Sequence, residues 1–166
     1  MKPEVSASRA FALLLYAMVA LLAVHQPGHA QPRNPLSDPP PPGDYAFQKV
    51  VYQTDGGWTD DRAYFERFLR NIKAHIAATG GKVEIRVVDF AAGVKMFQMA
   101  TTDPALAAQI DALRSQGVHF EICRNTLHGL GIGLAQLYKV QPEDVVPSGV
   151  AEIARLQGLG YVYEHP

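Results

Sequence analysis

Residues 118–127 read VHFEICRNTL, and this stretch decides the expected fold. Up to Cys123 apolar side chains alternate with polar ones, which is typical of a β-strand, and from Arg124 onward the residues favour a helix. Open parallel α/β sheets place their chemistry at such strand-to-helix junctions, because the carboxyl ends of the strands face helix N-termini. The segment therefore predicts an α/β protein with Cys123 at the mouth of a crevice.

Cys123 is the only cysteine of the sequence. At the positive end of a helix dipole its thiolate is favoured, and the thiolate is the form that a sulfur nucleophile needs. The other interpretation is a small apolar side chain that ends a core strand, since free cysteines are among the most buried residues. From the sequence alone, both interpretations of Cys123 stay open.

The first 30 residues have the pattern of a secretory signal peptide. Lys2 and Arg9 supply a basic start, residues 10–24 form an apolar run, and Gly28-His29-Ala30 supplies the small residues of a cleavage site. The apolar run has 15 residues, fewer than the roughly 20 that a membrane-spanning helix needs. We therefore expect a cleaved signal (residues 1–30) and a periplasmic mature protein that begins near Gln31, with an uncleaved tether as the alternative.

Residues 31–44 are expected to form a Pro-rich linker, since they include Pro39-Pro40-Pro41-Pro42 and little apolar mass. The folded domain is then predicted to occupy residues 45–166.

The whole chain has 15 Lys and Arg against 16 Asp and Glu, a net charge of −1. Because the sequence also has no basic cluster interleaved with aromatic residues, a nucleic-acid partner is not expected. In an oxidising compartment, an unpaired cysteine is buried and inert, bonded to another molecule, or kept as a reactive thiol.

Strands and helices are expected to alternate through the domain. The predicted strands are residues 47–53, 83–89, 118–123, 144–147 and 160–164. The predicted helices begin after caps at Thr59, Asp103 and Ser148, with a short helix at 93–99 and a broken one over 125–138. The last helix is expected to bear the apolar residues Val150, Ile153, Ala154 and Leu156. The pattern predicts a three-layer α/β/α sandwich on a mainly parallel sheet, flavodoxin-like in outline.

In a parallel sheet, the carboxyl ends of the first three strands lie at one edge, the usual ligand site of such folds. Six residues near Cys123 or after the first strand are therefore candidate ligand-binding residues: Arg124, Asn125, Thr126, Asp55, Gly56 and Gly57. Each has a structural alternative. Asn125 or Thr126 can simply cap the following helix, and Asp55-Gly56-Gly57 can simply form a turn.

The histidines near Cys123 give weaker signals. His119 lies roughly 13 Å from Cys123 along an extended strand, too far to act as its general base. Glu121 shares a face with Cys123, and a carboxylate there raises the pKa of a thiol. His128 either turns back toward the strand end or points to solvent. Neither a metal nor a cofactor is expected, because no second thiolate is present and the glycines at 129, 131 and 133 lack the dinucleotide-binding pattern.

Two segments resemble the DsrE/DsrF-like sulfur-relay family. Residues 118–127 look like the cysteine segment of that family, and Val146-Pro147-Ser148-Gly149-Val150-Ala151-Glu152-Ile153, followed by Leu156-Gln157 and Gly160-Tyr161, is similar to its C-terminal signature. The resemblance covers about residues 47–166. It implies a compact α/β/α fold on a parallel five-stranded sheet, assembly into homotrimers or hexamers, and a persulfide-forming Cys123 surrounded by Arg124, Asn125 and Thr126.

Known relay members of this family act in the cytoplasm, whereas this sequence predicts export. The resemblance therefore implies the chemistry of the thiol but not its pathway partner. Our leading hypothesis is an exported sulfur carrier, sulfurtransferase-like if active, that exchanges sulfur with a protein or a small sulfur compound. The alternatives are an oligomeric module that binds a small ligand or a partner and has a structural cysteine, and a redox sensor that acts through a mixed disulfide.

Overall fold

The computed structural model describes residues 34, 36, 45–56 and 59–166. The chain divides into two compact units, Met1–Asp38 and Pro39–Pro166. In the first unit the amide of Leu36 donates to Asn34 Oδ1 over 2.9 Å. The predicted signal peptide (1–30) and nearly all of the predicted linker (31–44) lie outside the described residues. The fold presented below is that of the second unit.

Five parallel strands form one sheet in the order β4-β3-β2-β1-β5. Their bounds are Gln48–Thr54 (β1), Val83–Asp89 (β2), His119–Cys123 (β3), Val145–Val146 (β4) and Val162–Glu164 (β5). The predicted α/β class with a parallel five-stranded sheet is thus confirmed. Each predicted strand is present; the bounds of β2 are as predicted, and the ends of the others are moved by at most two residues.

Helices cover both faces of the sheet. They are Asp61–Ala78 (α1), Lys95–Met99 (α2), Pro104–Ser115 (α3), Arg124–Leu130 (α4) and Gly149–Gly158 (α5), with 3₁₀ turns at Ala91–Val94, Leu134–Gln136 and Pro142–Asp144. Alternation along β1 separates two cores. Val50 and Tyr52 pack into the larger core with α1 to α4, whereas Val51 packs into a smaller one with Ile153 and Leu156 of α5.

The connections that leave β3 and β4 run over opposite faces of the sheet. The segment after β3 stays on the larger core, to which Leu127, Leu137 and Val140 contribute, while α5 after β4 covers the other face. Where neighbouring strands lead away to opposite faces, a crevice opens outside their carboxyl ends. Cys123 is paired with Val146 at this point.

The structure confirms two of the three helix caps that the sequence predicts. Asp103 caps α3 ahead of Pro104, and Ser148 caps α5 by accepting a hydrogen bond from the Ala151 amide. The predicted cap at Thr59 is wrong. Asp60 caps α1 instead, because its carboxylate accepts from the Ala63 amide over 3.0 Å and carries the negative charge that a helix N-terminus favours.

Val150, one of the apolar residues expected on the last helix, lies on its solvent-facing side. Its side chain is 68% exposed. The buried residues of α5 are Gly149, Glu152, Ile153 and Leu156, a 3, 4, 7 spacing that defines one face and leaves Val150 outside it.

The predicted break in the helical stretch after Cys123 is confirmed. α4 ends at Leu130, and Gly131 follows in the left-handed conformation with φ 65°. The second segment is a 3₁₀ turn and not an α-helix. Among the residues that the structure describes, no helix has both the length and the apolar character needed to cross a membrane.

Candidate functional site

Cys123 occupies the junction that the sequence predicted. It is the last residue of β3 and also the N-cap residue of α4, with extended backbone angles (φ −69°, ψ 113°). Its side chain is free of disulfide bonding, and the residue is 5% exposed. The thiol is therefore well shielded from bulk water, and its chemistry depends on the groups that surround the sulfur.

Two helix N-termini direct hydrogen-bond donors at the Cys123 sulfur. Burial acts to raise the pKa of this thiol, but the backbone amides of Gly149, Thr126 and Asn125 and the Thr126 hydroxyl outweigh it, so the pKa lies below its ordinary value. Asn125 and Thr126 belong to the first turn of α4, and Gly149 begins α5. The arrangement stabilises a thiolate at a buried position.

The Thr126 hydroxyl is held in place from the opposite side. Its Oγ1 accepts a hydrogen bond from the Ala91 amide over 3.0 Å, so its own proton is available for the sulfur. Ala91 adopts φ 49°, a left-handed conformation that is uncommon outside glycine. The loop after β2 thus orients one of the donors that lower the pKa of Cys123.

Gly149 lets α5 approach the sulfur closely. A Cβ atom at this position would lie 3.0 Å from Phe90 Cδ1 and 3.3 Å from Cys123 Cβ. Both distances are shorter than ordinary van der Waals contact, so a larger residue would push the start of α5 away from the strand ends. The absence of a side chain at Gly149 is what places its amide beside the thiol.

The other predicted ligand-binding residues are more dispersed. Asp55 lies at the end of β1, separated from β3 by β2, and its carboxylate contacts His165 Nε2 at 3.2 Å and Gln53 Nε2 at 3.3 Å. Gly56 has φ 104°, and a Cβ there would lie 2.4 Å from Ala92 Cβ, so tight loop packing already accounts for this glycine. Gly57 lies outside the described residues.

Near Cys123, the predicted residues contribute in different ways. Asn125 and Thr126 supply amides to the sulfur, as the junction predicted. The side chain of Arg124 is exposed, and His128 is exposed on the same helix. The structure therefore brings Asn125, Thr126 and Cys123 together and leaves the Arg124 guanidinium at the surface.

Glu121 lies on the same face of β3 as Cys123 and is 8% exposed. Burial and the nearby charge of Glu152 raise its pKa to about 7, against the attraction of Arg86, whose Nη1 is 3.3 Å from Glu121 Oε1. Glu121 is thus largely protonated below neutral pH. His119, at the start of the same strand, is exposed.

Asp89 ends β2 and is fully buried on the larger-core face. Burial raises the pKa of its carboxyl well above the ordinary value. Within the described part of the chain, neither of its oxygens has a hydrogen-bond partner. The described residues contain no group of three or more His, Cys, Asp or Glu arranged to hold a metal ion.

The contribution of the Gly149 amide to the site was not predicted from the sequence. The sequence predicts Ser148 as a helix cap and a strand just before it, but no local pattern connects either with Cys123. The available signal was topological, because a strand beside β3 whose following helix crosses to the opposite face places that helix N-terminus at the same crevice.

Comparisons with known proteins agree with this architecture. The model of the DsrE/DsrF-like family matches residues 49–163. A solved structure of MTH1491, a protein of unknown function from Methanobacterium thermoautotrophicum, is 30% identical, with a TM-score of 0.60. The match covers 72% of this chain and 99% of that one. The sequence matches no curated protein.

Proposed function

Because the chain belongs to the DsrE/DsrF-like family, which is associated with sulfur relay, we propose that it is an exported sulfur-handling protein that uses Cys123. In this proposal the thiolate accepts a sulfane sulfur atom as a persulfide and passes it to an acceptor. The supporting observation is the set of donors from α4 and α5 that lowers the pKa of a shielded thiol. The attacking species in sulfur exchange is the thiolate, so this environment suits the reaction.

The proposed loading step is a displacement at sulfur. The Cys123 thiolate attacks the outer sulfur of a donor R–S–SH, the new bond to Sγ forms, and the donor S–S bond breaks with its electron pair on R–S⁻. In the second step an acceptor thiolate takes the outer sulfur and returns Cys123 to its thiolate. Neither step needs a separate oxidant or reductant, so the protein acts as a carrier and need not turn over alone.

Mass spectrometry tests this proposal directly. Treating the protein that lacks residues 1–30 with inorganic polysulfide is expected to add about 32 Da, one sulfur atom, at Cys123. Dithiothreitol is expected to remove the added mass. The Cys123→Ala variant, treated in the same way, is the matched control. An adduct that persists in this variant, or no adduct in the parent protein, would contradict the proposed role.

The low exposure of Cys123 favours a second candidate function. In that case the thiol is a structural element and the crevice serves to bind a small ligand or a partner. Alkylation at pH 6 separates the two functions, because a carrier thiol reacts in the folded protein and a structural one reacts only after unfolding. A mixed disulfide on a non-reducing gel would instead identify a redox sensor.

Export and assembly complete the proposal. The sequence predicts a periplasmic mature protein, so N-terminal sequencing of the protein from the periplasmic fraction is expected to begin near Gln31. The donor and acceptor are then periplasmic proteins or small sulfur compounds. Family resemblance implies a homotrimer or hexamer, and light scattering of the mature protein is expected to give one of these masses.

A further inference from the structure

A pocket of about 460 Å³ lies beside the Cys123 site, between the 3₁₀ turn after β2 and helix α4. Its lining residues are Ala91, Ala92, Lys95, Thr126, Gly129 and Leu130. Thr126 belongs to both places, because it lines the pocket and also donates its hydroxyl to the Cys123 sulfur. Thr126 is thus the residue through which the pocket adjoins the Cys123 site. We call this cavity the alkyl pocket.

The lining of the alkyl pocket suits hydrocarbon better than an anion. Ala91, Ala92, Gly129 and Leu130 present no polar side-chain atom, and Leu130 is 60% exposed although it is apolar. Lys95, the cation of the lining, has its ammonium group 2.9 Å from Asp61 Oδ2. A doubly charged ligand there would compete with Asp61 and would lose hydration against an apolar wall.

Gly129 is a helical glycine that neither conformation nor packing requires. It does not have a positive φ, and a Cβ built on it meets no atom within 4 Å. Glycine in a helix costs up to about 1 kcal/mol relative to alanine. The nearby end of α4 is already formed by Gly131 in the left-handed conformation. What Gly129 does provide is an open wall of the alkyl pocket.

Ala91 forms the opposite wall in an unfavourable backbone conformation, φ 49°. Its amide donates to Thr126 Oγ1 over 3.0 Å. The strained residue therefore both lines the pocket and orients the hydroxyl that faces the sulfur, and backbone strain of this kind is concentrated at functional sites.

From this geometry we infer that the alkyl pocket binds the hydrocarbon part of the sulfur donor, which makes the donor a small organic persulfide and not an inorganic anion such as thiosulfate. This inference rests on the proposed function of Cys123. The volume is in the range of small-molecule sites. With R in the pocket, the outer sulfur of R–S–SH passes to Cys123 Sγ, and the thiolate R–S⁻ leaves and takes a proton from solvent.

The test compares three donors by the rate at which one sulfur atom is added to Cys123: butyl persulfide, inorganic polysulfide and thiosulfate. Butyl persulfide is expected to load Cys123 about tenfold faster than thiosulfate. Gly129→Leu, which places a side chain in the pocket without a backbone clash, is expected to slow loading by butyl persulfide about tenfold and loading by inorganic polysulfide less than about twofold. Gly158→Leu is the matched control, since a Cβ at that helical glycine also meets nothing within 4 Å.

Each other outcome has a distinct meaning. Equal effects of Gly129→Leu on all three donors, or no effect on any, would overturn the alkyl pocket while leaving persulfide formation intact. Fastest loading by thiosulfate, slowed by Arg124→Gln, would overturn it in favour of an inorganic anion held by the exposed Arg124. If no donor adds sulfur to Cys123, the proposed function itself fails. Thermal unfolding of each variant confirms that it is folded.

Discussion

At the scale of single residues, two opposing effects set the state of the Cys123 thiol. Removing a thiolate from water disfavours it, whereas each hydrogen bond to a charged group contributes about 1.5–3 kcal/mol. One pKa unit corresponds to about 1.4 kcal/mol, so even one such donor shifts the pKa measurably. The amides of Gly149, Thr126 and Asn125 and the Thr126 hydroxyl together outweigh the burial. A thiol can thus be buried and still favour its thiolate.

The Thr126 hydroxyl can be tested by an isosteric substitution. Thr126→Val removes the O–H donor and keeps the side-chain volume, so the pKa of Cys123 is expected to rise because the thiolate loses a hydrogen bond. The pH dependence of the alkylation rate measures this pKa. Thr126→Ser keeps the hydroxyl, both for the sulfur and for the Ala91 amide, and is expected to leave the profile near that of the parent protein. Identical profiles for the Val variant and the parent would rule out the hydroxyl contribution.

Glu121 makes folding depend on pH. Its pKa is raised from 4.5 to about 7 in the folded protein, mainly by burial, with a further contribution from Glu152 and an opposing one from Arg86. Below pH 4.5 the carboxyl is protonated in both states; between 4.5 and 7 only the unfolded chain releases the proton. The free energy of unfolding is therefore expected to fall by up to about 3 kcal/mol across this window and to level off above it.

Urea unfolding at several pH values checks the Glu121 prediction. Glu121→Gln keeps the size of the side chain and removes its titration, so the decline between pH 4.5 and 7 is expected to become shallower. The remaining slope is expected from buried Asp89, whose pKa is also raised. Glu143→Gln, at an exposed position, is the matched control and is expected to keep the full decline. An unchanged slope in Glu121→Gln would contradict this assignment.

At the scale of elements, the start of α5 is set by contacts with two strand ends. Phe90 follows β2 and Cys123 ends β3. Both lie within 3.3 Å of the position that a Cβ atom would occupy at Gly149. The same helix ends in another glycine, Gly158, beside which a Cβ meets nothing within 4 Å. One helix therefore contains both a glycine required by packing and one that is free to change.

Alanine substitutions at these two glycines are expected to act in opposite directions. Gly149→Ala introduces a contact 3.0 Å from Phe90 Cδ1, which is expected to cost about 1–3 kcal/mol of unfolding free energy and, by displacing the amide from the sulfur, to raise the pKa of Cys123. Gly158→Ala is expected to stabilise the protein by up to about 1 kcal/mol and to leave the thiol unchanged. Urea unfolding and alkylation rates measure the two effects. Equal responses at both positions would show that close packing does not position α5.

At the scale of the whole molecule, the sequence predicts the strands and helix caps that depend on residues close together in the chain. Alternation predicts β3, and the residue types at Asp103 and Ser148 predict helix caps, because these signals lie within a few residues of the element that they define. The sequence does not separate Thr59 from Asp60 as the cap of α1, because both residue types satisfy the same local rule. The exposed position of Val150 does not follow from its apolar side chain, because the buried direction of α5 is decided by its contact with the sheet.

The missing part of the candidate site was non-local. Cys123 and Gly149 are far apart in the sequence, and their contact depends on the strand order and on α5 crossing to the second face. No local pattern encodes that crossover. The strain at Ala91 and the alkyl pocket likewise arise only where the 3₁₀ turn after β2 meets α4.

The boundaries of the folding unit provide the last prediction. The sheet begins at Gln48, and residues 39–166 form a compact unit of their own. A chain of residues 45–166 is therefore expected to unfold with a free energy within about 0.5 kcal/mol of that of residues 31–166. Removal of residues 162–166 is the contrasting truncation. It deletes β5, whose Val162 pairs with Val50, and the hydrogen bond from Tyr163 to Gln53.

Loss of β5 leaves one edge of β1 without a partner and is expected to cost about 2 kcal/mol or more, since each lost hydrogen bond contributes about 1 kcal/mol. Urea unfolding of the three chains measures both effects under the same conditions. If the chain of residues 45–166 were destabilised as much as the one without β5, residues 31–44 would be part of the fold and not a linker. Since Cys123 lies on the far side of the sheet from β5, its alkylation rate is expected to change little in either truncation that remains folded.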